Sequence, residues 1–489
     1  MKNKKLFFGL GMVILIGVAV YALFFLSGDL QTLSGPEHGR LAYLQEGNLW
    51  VKELPDGKAK QLVGGEEIYN PRWSPSGKWL LFQKDNQIWL SSFNGSTSRL
   101  IASKVMRFGW SPVQDKFVYS TLDNKLFLAA PDTKDARLLP GFAPDVHLGR
   151  LVWSGDGRYV VFERFKYKNK PPLAYPEFSG IWKVDIASGK LKSVYESPDP
   201  VKLWPRLAGW SASGQENQIF FWLGPFAVSI EADGLPLYTI NEEGGEAVRW
   251  ADCLVSENGL VSFGEVILLH PNSFIVNPSS DHHGQIALIV GSGRETWKNK
   301  QLALLHVQTN KLILFSKKDQ AVSAVSFSPD GESLVYSASP EPEKEIMDEE
   351  GVRRALHKRR LWLVRLDDRL PRPLTNDDNY CDEYPLWSAD GNKILFARLD
   401  NENKASLWLM QTDGSNSRQV VAELSPDHRG WFGYYGYIDW PQLFDYWGGP
   451  LKNNKLTLAP EERKRVESIP YRYESSFPDR KRGQRVYCG

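Results

Sequence analysis

Few residues in this chain stand at the spacings that chemistry needs. A serine nucleophile requires a Gly-x-Ser-x-Gly turn between a strand and a helix. The nearest approach, Gly209-Trp-Ser211-Ala-Ser213-Gly214, lacks the final glycine at the right place and coincides with a recurring turn described below. His282-His283 sits in a Ser-Ser-Asp-His-His-Gly stretch, where a solvated turn is expected before a pair of metal ligands. Asp377, Asp378, Asp382 and Glu383 offer oxygens to calcium without the fixed spacing of a calcium loop. Gly291-Ser-Gly293 is too short to cradle a phosphate, and no Walker or dinucleotide fingerprint occurs. The cysteines Cys253, Cys381 and Cys488 are odd in number and lie far apart, so neither a disulfide framework nor a zinc site is encoded, and a single Cys253–Cys381 bridge stays open. The expectation is no catalytic residue, no metal and no cofactor.

Binding chemistry is better represented. The stretch FKYKNKPPLAYPEFSG, from Phe165, places Lys166, Tyr167, Lys168, Lys170, Tyr175 and Phe178 in an insertion where neighbouring repeats have a short connection. Loops that lengthen on a rigid scaffold are where ligand-binding residues concentrate. These six residues are the candidate ligand-binding set, with a solvated loop as the competing reading. A second insertion from Pro340 passes from an acidic half, Glu341–Glu350, to a basic half, Arg353–Arg360, and reads as a short helix projecting between strands, with a solvated loop again the competing reading.

The elements that must position these residues follow from composition and repeat. The chain has 489 residues, 59 Lys+Arg against 58 Asp+Glu and a net charge of +1, a balance that does not support a nucleic-acid binder. At 42% hydrophobic and 12% aromatic residues it is too apolar for disorder. The 41 Gly, 30 Pro and 18 Trp indicate many short strands joined by tight turns. One phrase recurs: PRWSPSGKWLLF from Pro71, FGWSPVQDKFVY from Phe108, LVWSGDGRYVVF from Leu151, VSFSPDGESLVY from Val325 and PLWSADGNKILF from Pro385, with a looser copy from Ala208. Each copy reads as a strand ending on a buried aromatic, a tight turn and a second strand. A third and a fourth apolar-alternating stretch follow, which makes a four-stranded propeller blade.

Trp73, Trp110, Trp153, Trp210, Phe327 and Trp387 are the expected core anchors of six first strands, and Ser273–Val276 supplies a degenerate seventh. The stretch Gly39–Val63 has second, third and fourth strands without a first, while Tyr434–Trp440 is a first-strand pattern without followers, anchored on Trp440. Pairing the two ends closes a ring and removes its open sheet edges. The expected fold is therefore an all-β propeller of eight four-stranded blades over residues 39–447, seven being the alternative because Gly244–His270 fits neither a blade nor a simple loop.

Residues 6–26 carry no charge and as a helix span roughly 31 Å, the thickness of a bilayer core. Lys2, Lys4 and Lys5 precede them. The positive-inside bias leaves residues 1–5 in the cytoplasm and sends the propeller, after a linker at 27–38, outside a cell membrane crossed once. A cleaved signal peptide is the competing reading. At the other end, residues 448–489 form a basic tail; from Leu451 it holds ten Lys/Arg against five Asp/Glu.

The W-S-P-D-G-K phrase, with the I/L-x-F and I/L-W strands after it, resembles TolB-like propeller repeats of the WD40-like (PD40) class, which also occur in dipeptidyl-peptidase IV and prolyl-oligopeptidase propellers. The resemblance covers about Gly39–Trp440 and implies the propeller fold. The chain departs from the TolB arrangement in its apparent anchor, its short linker and its blade number, so membership of a Tol-Pal system is not implied. The α/β-hydrolase domain of the peptidases is expected to be absent, since too few residues follow the last strand. The expected function is a membrane-anchored, extracytoplasmic module of the bacterial envelope that binds a protein, peptide or cell-wall ligand without catalysis. A propeller-hosted lyase or hydrolase, or an accessory subunit of an envelope enzyme, is the alternative.

Overall fold

The recurring turn folds as its side chains require. Ser154 Oγ donates to Asp156 at 2.6 Å and accepts from the backbone N–H of Tyr159 at 2.9 Å, while Asp156 accepts from the N–H of Arg158 at 3.0 Å. The same trio recurs at Ser328, Asp330 and Ser333 and at Ser388, Asp390 and Lys393. Within the turn Gly157 adopts a φ of +70°, and a Cβ there would meet the Val113 side chain at 2.7 Å, so glycine serves both the left-handed backbone and the approach of the neighbouring blade. The second strand that follows is covered on both faces. In Phe117–Thr121 every residue is buried, which explains why these segments read as continuous apolar runs.

A computed structural model describes residues 39–449, apart from 66, 141–142, 144, 169–174, 214–215, 227–234, 251–253, 257–258, 262–264, 267–273, 279–283, 292–294, 310, 347, 426–435 and 437. The described strands form seven four-stranded antiparallel sheets and one five-stranded sheet, the eight blades of a propeller, with a separate two-stranded hairpin. Blades 2, 3, 4 and 5 begin with Ile68–Trp73, Val105–Trp110, Val146–Trp153 and Trp204–Ser213; blades 6, 7 and 8 begin with Phe274–Val276, Gln320–Phe327 and Tyr380–Trp387. First strands of successive blades pack on one another. Separate hydrophobic clusters fill the spaces between neighbouring blades, for example Val118, Leu126, Val160 and Phe162 between blades 3 and 4. Each sheet thus buries both faces in its neighbours.

The anchors occupy these interfaces. The indole N–H of Trp110 donates to Arg72 O (2.9 Å), that of Trp153 to Gly109 O (3.0 Å) and that of Trp387 to Ser326 O (3.3 Å), each a carbonyl in the first strand of the preceding blade. Trp73, Trp210 and Phe327 are buried. The repeat tryptophan therefore fills the gap between blades and also stitches them together.

Blade 1 joins the two ends of the described chain. Phe444–Trp447 pairs with Arg40–Gln45, followed outward by Asn48–Glu53 and Lys60–Val63. The closure has the expected kind, but the strand lies beyond Trp440. Trp440 belongs to a single 3-10 turn, Trp440–Gln442, in which Pro441 has no N–H to give a ladder. Tyr446 faces Leu41 at the register where Trp73 faces Leu80 and Trp153 faces Val160, so Tyr446 holds the anchor position in blade 1. The segment Gly244–His270 resolves into the fourth strand of blade 5 (Val248–Trp250), the separate hairpin (Leu254–Ser256 with Gly259–Val261) and a short strand, Glu265–Val266, added to blade 6.

The apolar segment 6–26 and the tail 451–489 lie outside the described residues, and among those described no helix is long and apolar enough to cross a membrane. Cys381 is a free thiol, so it forms no bridge with Cys253, which itself lies outside the described residues.

Candidate functional site

Successive strands of a blade run antiparallel, so the connections between second and third strands, and those between blades, leave from one rim of the ring. The longest connections fall there: 225–236 in blade 5, 341–359 in blade 7 and the closing segment 425–443, beside the shorter 168–175 in blade 4 and 292–299 in blade 6. The opposite rim carries the Ser-x-Asp-Gly turns.

At blades 4 and 5 this rim is aromatic. Tyr167 lies 5.4 Å from Phe165, 5.5 Å from His147, 5.8 Å from Phe226 and 6.4 Å from Trp204, ring centre to ring centre. Burial raises the Tyr167 hydroxyl above its usual range. The insertion that supplies Tyr167 is less a loop than a lengthened hairpin, with Tyr159–Tyr167 paired to Pro176–Asp185, because the extra residues continue the ladder of the blade. That pairing splits the candidate set. Lys166 is held by Asp145 (3.1 Å) and Glu177 (3.3 Å), Phe178 lies under the Arg164 guanidinium (5.7 Å), and Tyr175 is exposed with the Lys168 ammonium 5.8 Å from its ring. Lys170 lies outside the described residues. His147, Trp204 and Phe226 come from outside the insertion, and no spacing in the sequence marks them.

At blades 6, 7 and 8 the same rim is charged. Arg359, fully buried, donates to Glu383 and to Thr296 Oγ1 (2.7 Å); Glu383 accepts from the Trp440 indole (2.8 Å), and Thr296 donates to Gly436 O (2.8 Å). Loops of blades 6 and 7, the first strand of blade 8 and the closing segment meet at this one guanidinium. Beside it Asp382 accepts two hydrogen bonds from Arg398, at 2.6 and 3.0 Å, and the guanidinium lies 4.4 Å from the Tyr380 ring and 4.5 Å from that of Trp408. Asp378 pairs with Arg360 at 3.0 Å, and Asp377 caps the N–H of Asn379. The acidic residues whose oxygens could have served calcium are thus distributed among arginines and backbone; among the described residues no metal-holding group of His, Cys, Asp and Glu is assembled. His282 and His283 lie outside the described residues.

Nearby Cys381 donates to Leu356 O at 3.3 Å, and burial pushes its thiol well above the ordinary range, the neutral form that is a poor nucleophile. Burial pulls the Lys300 ammonium down to about 8, with Glu295 and Glu341 opposing.

The insertion of blade 7 does contain a helix, Glu349–Leu356, begun by Asp348, whose carboxylate accepts from the Gly351 N–H at 2.7 Å. Its Ala355 and Leu356 pack against Trp297 of the blade 6 loop. Between this helix, the end of blade 7 and the edge of blade 8 lies a cavity of about 700 Å3, into which Arg353, Arg354, Lys358 and Arg360 bring positive charge. The basic half of the insertion was visible in the sequence; the cavity beside it was not. Asp348→Ala removes the cap, worth about 1 kcal/mol. Hydrogen exchange of the helix amides should then accelerate about fivefold, and unchanged exchange would show that packing on Trp297 alone holds the helix.

No family model matches the sequence, and no curated protein matches it. Among solved structures the chain is similar to an oligogalacturonate lyase from Vibrio parahaemolyticus, with 13% identity over 76% of this chain and 96% of that one and a TM-score of 0.47. It is also similar to a dipeptidyl aminopeptidase IV-type protein of Bacteroides ovatus, with 10% identity over 79% of this chain and 58% of that one and a TM-score of 0.49. A TolB-type protein of Agrobacterium tumefaciens shares 13% identity over 78% of this chain and 88% of that one, with a TM-score of 0.28. The propeller itself is read from the strand pairing of this chain.

Proposed function

We propose that the chain is a binding propeller, not an enzyme, which holds a protein or peptide partner of the bacterial envelope on the rim that carries the long connections. The observation behind this reading is that the longest connections, in blades 5 and 7 and in the closing segment, leave from that rim, while the connections of the other have eight residues or fewer. Insertions without a shared use would have no reason to prefer one rim. An aromatic sector beside a basic sector suits a peptide chain, whose apolar and acidic side chains each find a surface. In this reading residues 6–26 anchor the protein in the cell membrane by a single pass, with the N-terminus cytoplasmic and the propeller outside. Nucleic acid is not a partner in this reading, given the net charge of +1.

Site-directed photocrosslinking in cells tests it. A photoreactive residue at Tyr175 or Lys358 is expected to capture the same partner, and one at Ser76 or Glu332 in the turns of the other rim to capture none. Equal capture from both rims, or a hydrolase or lyase activity of the purified chain on envelope glycan or peptide, would overturn the reading. Membrane fractionation tests the anchor: the chain should stay in the pellet after a high-salt wash, and a soluble form beginning near Ser27 would identify a cleaved signal.

A further inference from the structure

The cavity beside the helix Glu349–Leu356 has a charge arrangement that its own residues leave unbalanced. Four cations line it, Arg353, Arg354, Lys358 and Arg360, against two carboxylates, Glu350 and Asp378. Arg354 is taken by Glu350 at 2.6 Å and Arg360 by Asp378 at 3.0 Å. Arg353 and Lys358 are exposed, and their side chains have no hydrogen-bond or ion-pair partner among the described residues. Among the described residues, two positive charges therefore face the cavity without a carboxylate to meet them.

The pair between Arg360 and Asp378 is asymmetric. The Arg360 side chain is 11% exposed, whereas that of Asp378 is completely exposed, at 102%. Arg360 Nη1 donates to the carbonyls of His357 (2.9 Å), Arg359 (2.8 Å) and Tyr380 (2.5 Å), which fix the guanidinium and leave Nη2 toward Asp378. A fixed guanidinium facing a solvated carboxylate is a preorganised donor for another carboxylate, since an exposed partner contributes little and is displaced at little cost. The apolar lining, Ala338, Pro340 and Trp362, suits the aliphatic stem of a side chain, and the volume of about 700 Å3 is that of a pocket for a short segment.

We infer that this cavity is the subsite for an acidic segment of the partner peptide, with carboxylates on Arg360 in place of Asp378 and on Arg353 and Lys358. This inference rests on the reading of the long-loop rim as a peptide-binding surface.

A fluorescein-labelled peptide of consecutive glutamates, followed by fluorescence anisotropy on the full-length protein, tests it. Binding is expected to weaken with added salt and to fall about tenfold or more in the double variant Arg353→Glu, Lys358→Glu, whose positions are exposed and leave the core intact. Asp378→Asn is expected to tighten binding several-fold, an effect that loss of structure would not produce. A peptide of consecutive glutamines should not bind. Failure of the glutamate peptide to bind, indifference to the charge reversal, or stronger retention on anionic phospholipid vesicles or a uronic acid oligosaccharide than on the peptide would each overturn the inference. If the crosslinks from Tyr175 and Lys358 persist in the first two cases, only the acidic subsite fails; if they too vanish from this rim, the peptide-binding reading fails with it.

Discussion

Truncation after Leu443 is expected to abolish the cooperative melting transition of the propeller. The missing strand, Phe444–Trp447, is the inner strand of blade 1, and its loss exposes the Arg40–Gln45 edge along the register Arg40 to Trp447 through Tyr43 to Phe444. Phe444 is 1% and Trp447 9% exposed, and each large-to-small loss at such a site costs about 3–5 kcal/mol. Together they approach the whole stability of an ordinary domain, about 5–15 kcal/mol. Asp445 adds a carboxylate that accepts the Trp73 N–H at 2.7 Å, and its carbonyl accepts the Trp73 indole at 3.2 Å, so blade 2 loses its stitch as well. Phe444→Ala in the intact chain should retain a single transition shifted down by about 3–5 kcal/mol. A truncated chain that melts like the intact one would show that the ring does not need this closure.

Glu383→Ala should cost about 3–5 kcal/mol, because it leaves the fully buried Arg359 charge without its carboxylate and the Trp440 indole without its acceptor. The double variant Arg359→Met, Glu383→Leu should recover much of that loss, since two apolar side chains need no desolvated charge to be balanced. Denaturant unfolding of the wild type, Arg359→Met, Glu383→Leu and the double variant gives the coupling between the pair. If the single and double variants lose the same stability, the clasp is packing and not charge, and its position between blades 6, 7, 8 and 1 would matter only through shape.

The blades were legible because each is local. The turn at Ser154, Asp156 and Gly157 is made by residues a few positions apart, and the strands on either side repeat at the period of a sheet. The need for the ends to meet was legible too, since Gly39–Val63 lacks a first strand. Which strand closed the ring was not: the aromatic pattern at 434–440 resembles a first strand, yet Pro441 ends it in a turn and the ladder begins at Phe444. Nor were the partners of the acidic residues near 380, since Asp382, Glu383 and Asp378 each meet a different arginine distant in sequence.

Short-range periodicity and turn chemistry carry the blade, the six anchors from Trp73 to Trp387 and the two insertions near Phe165 and Pro340, so these were readable from the sequence. The tertiary structure alone decided that those connections share one rim, that Thr296, Arg359, Glu383 and Trp440 form one buried cluster, and that an aromatic sector and a basic cavity result. These groups lie tens to more than a hundred residues apart and share no period; only the closing of a ring, which turns distant connections into neighbours, brings them within hydrogen-bonding reach.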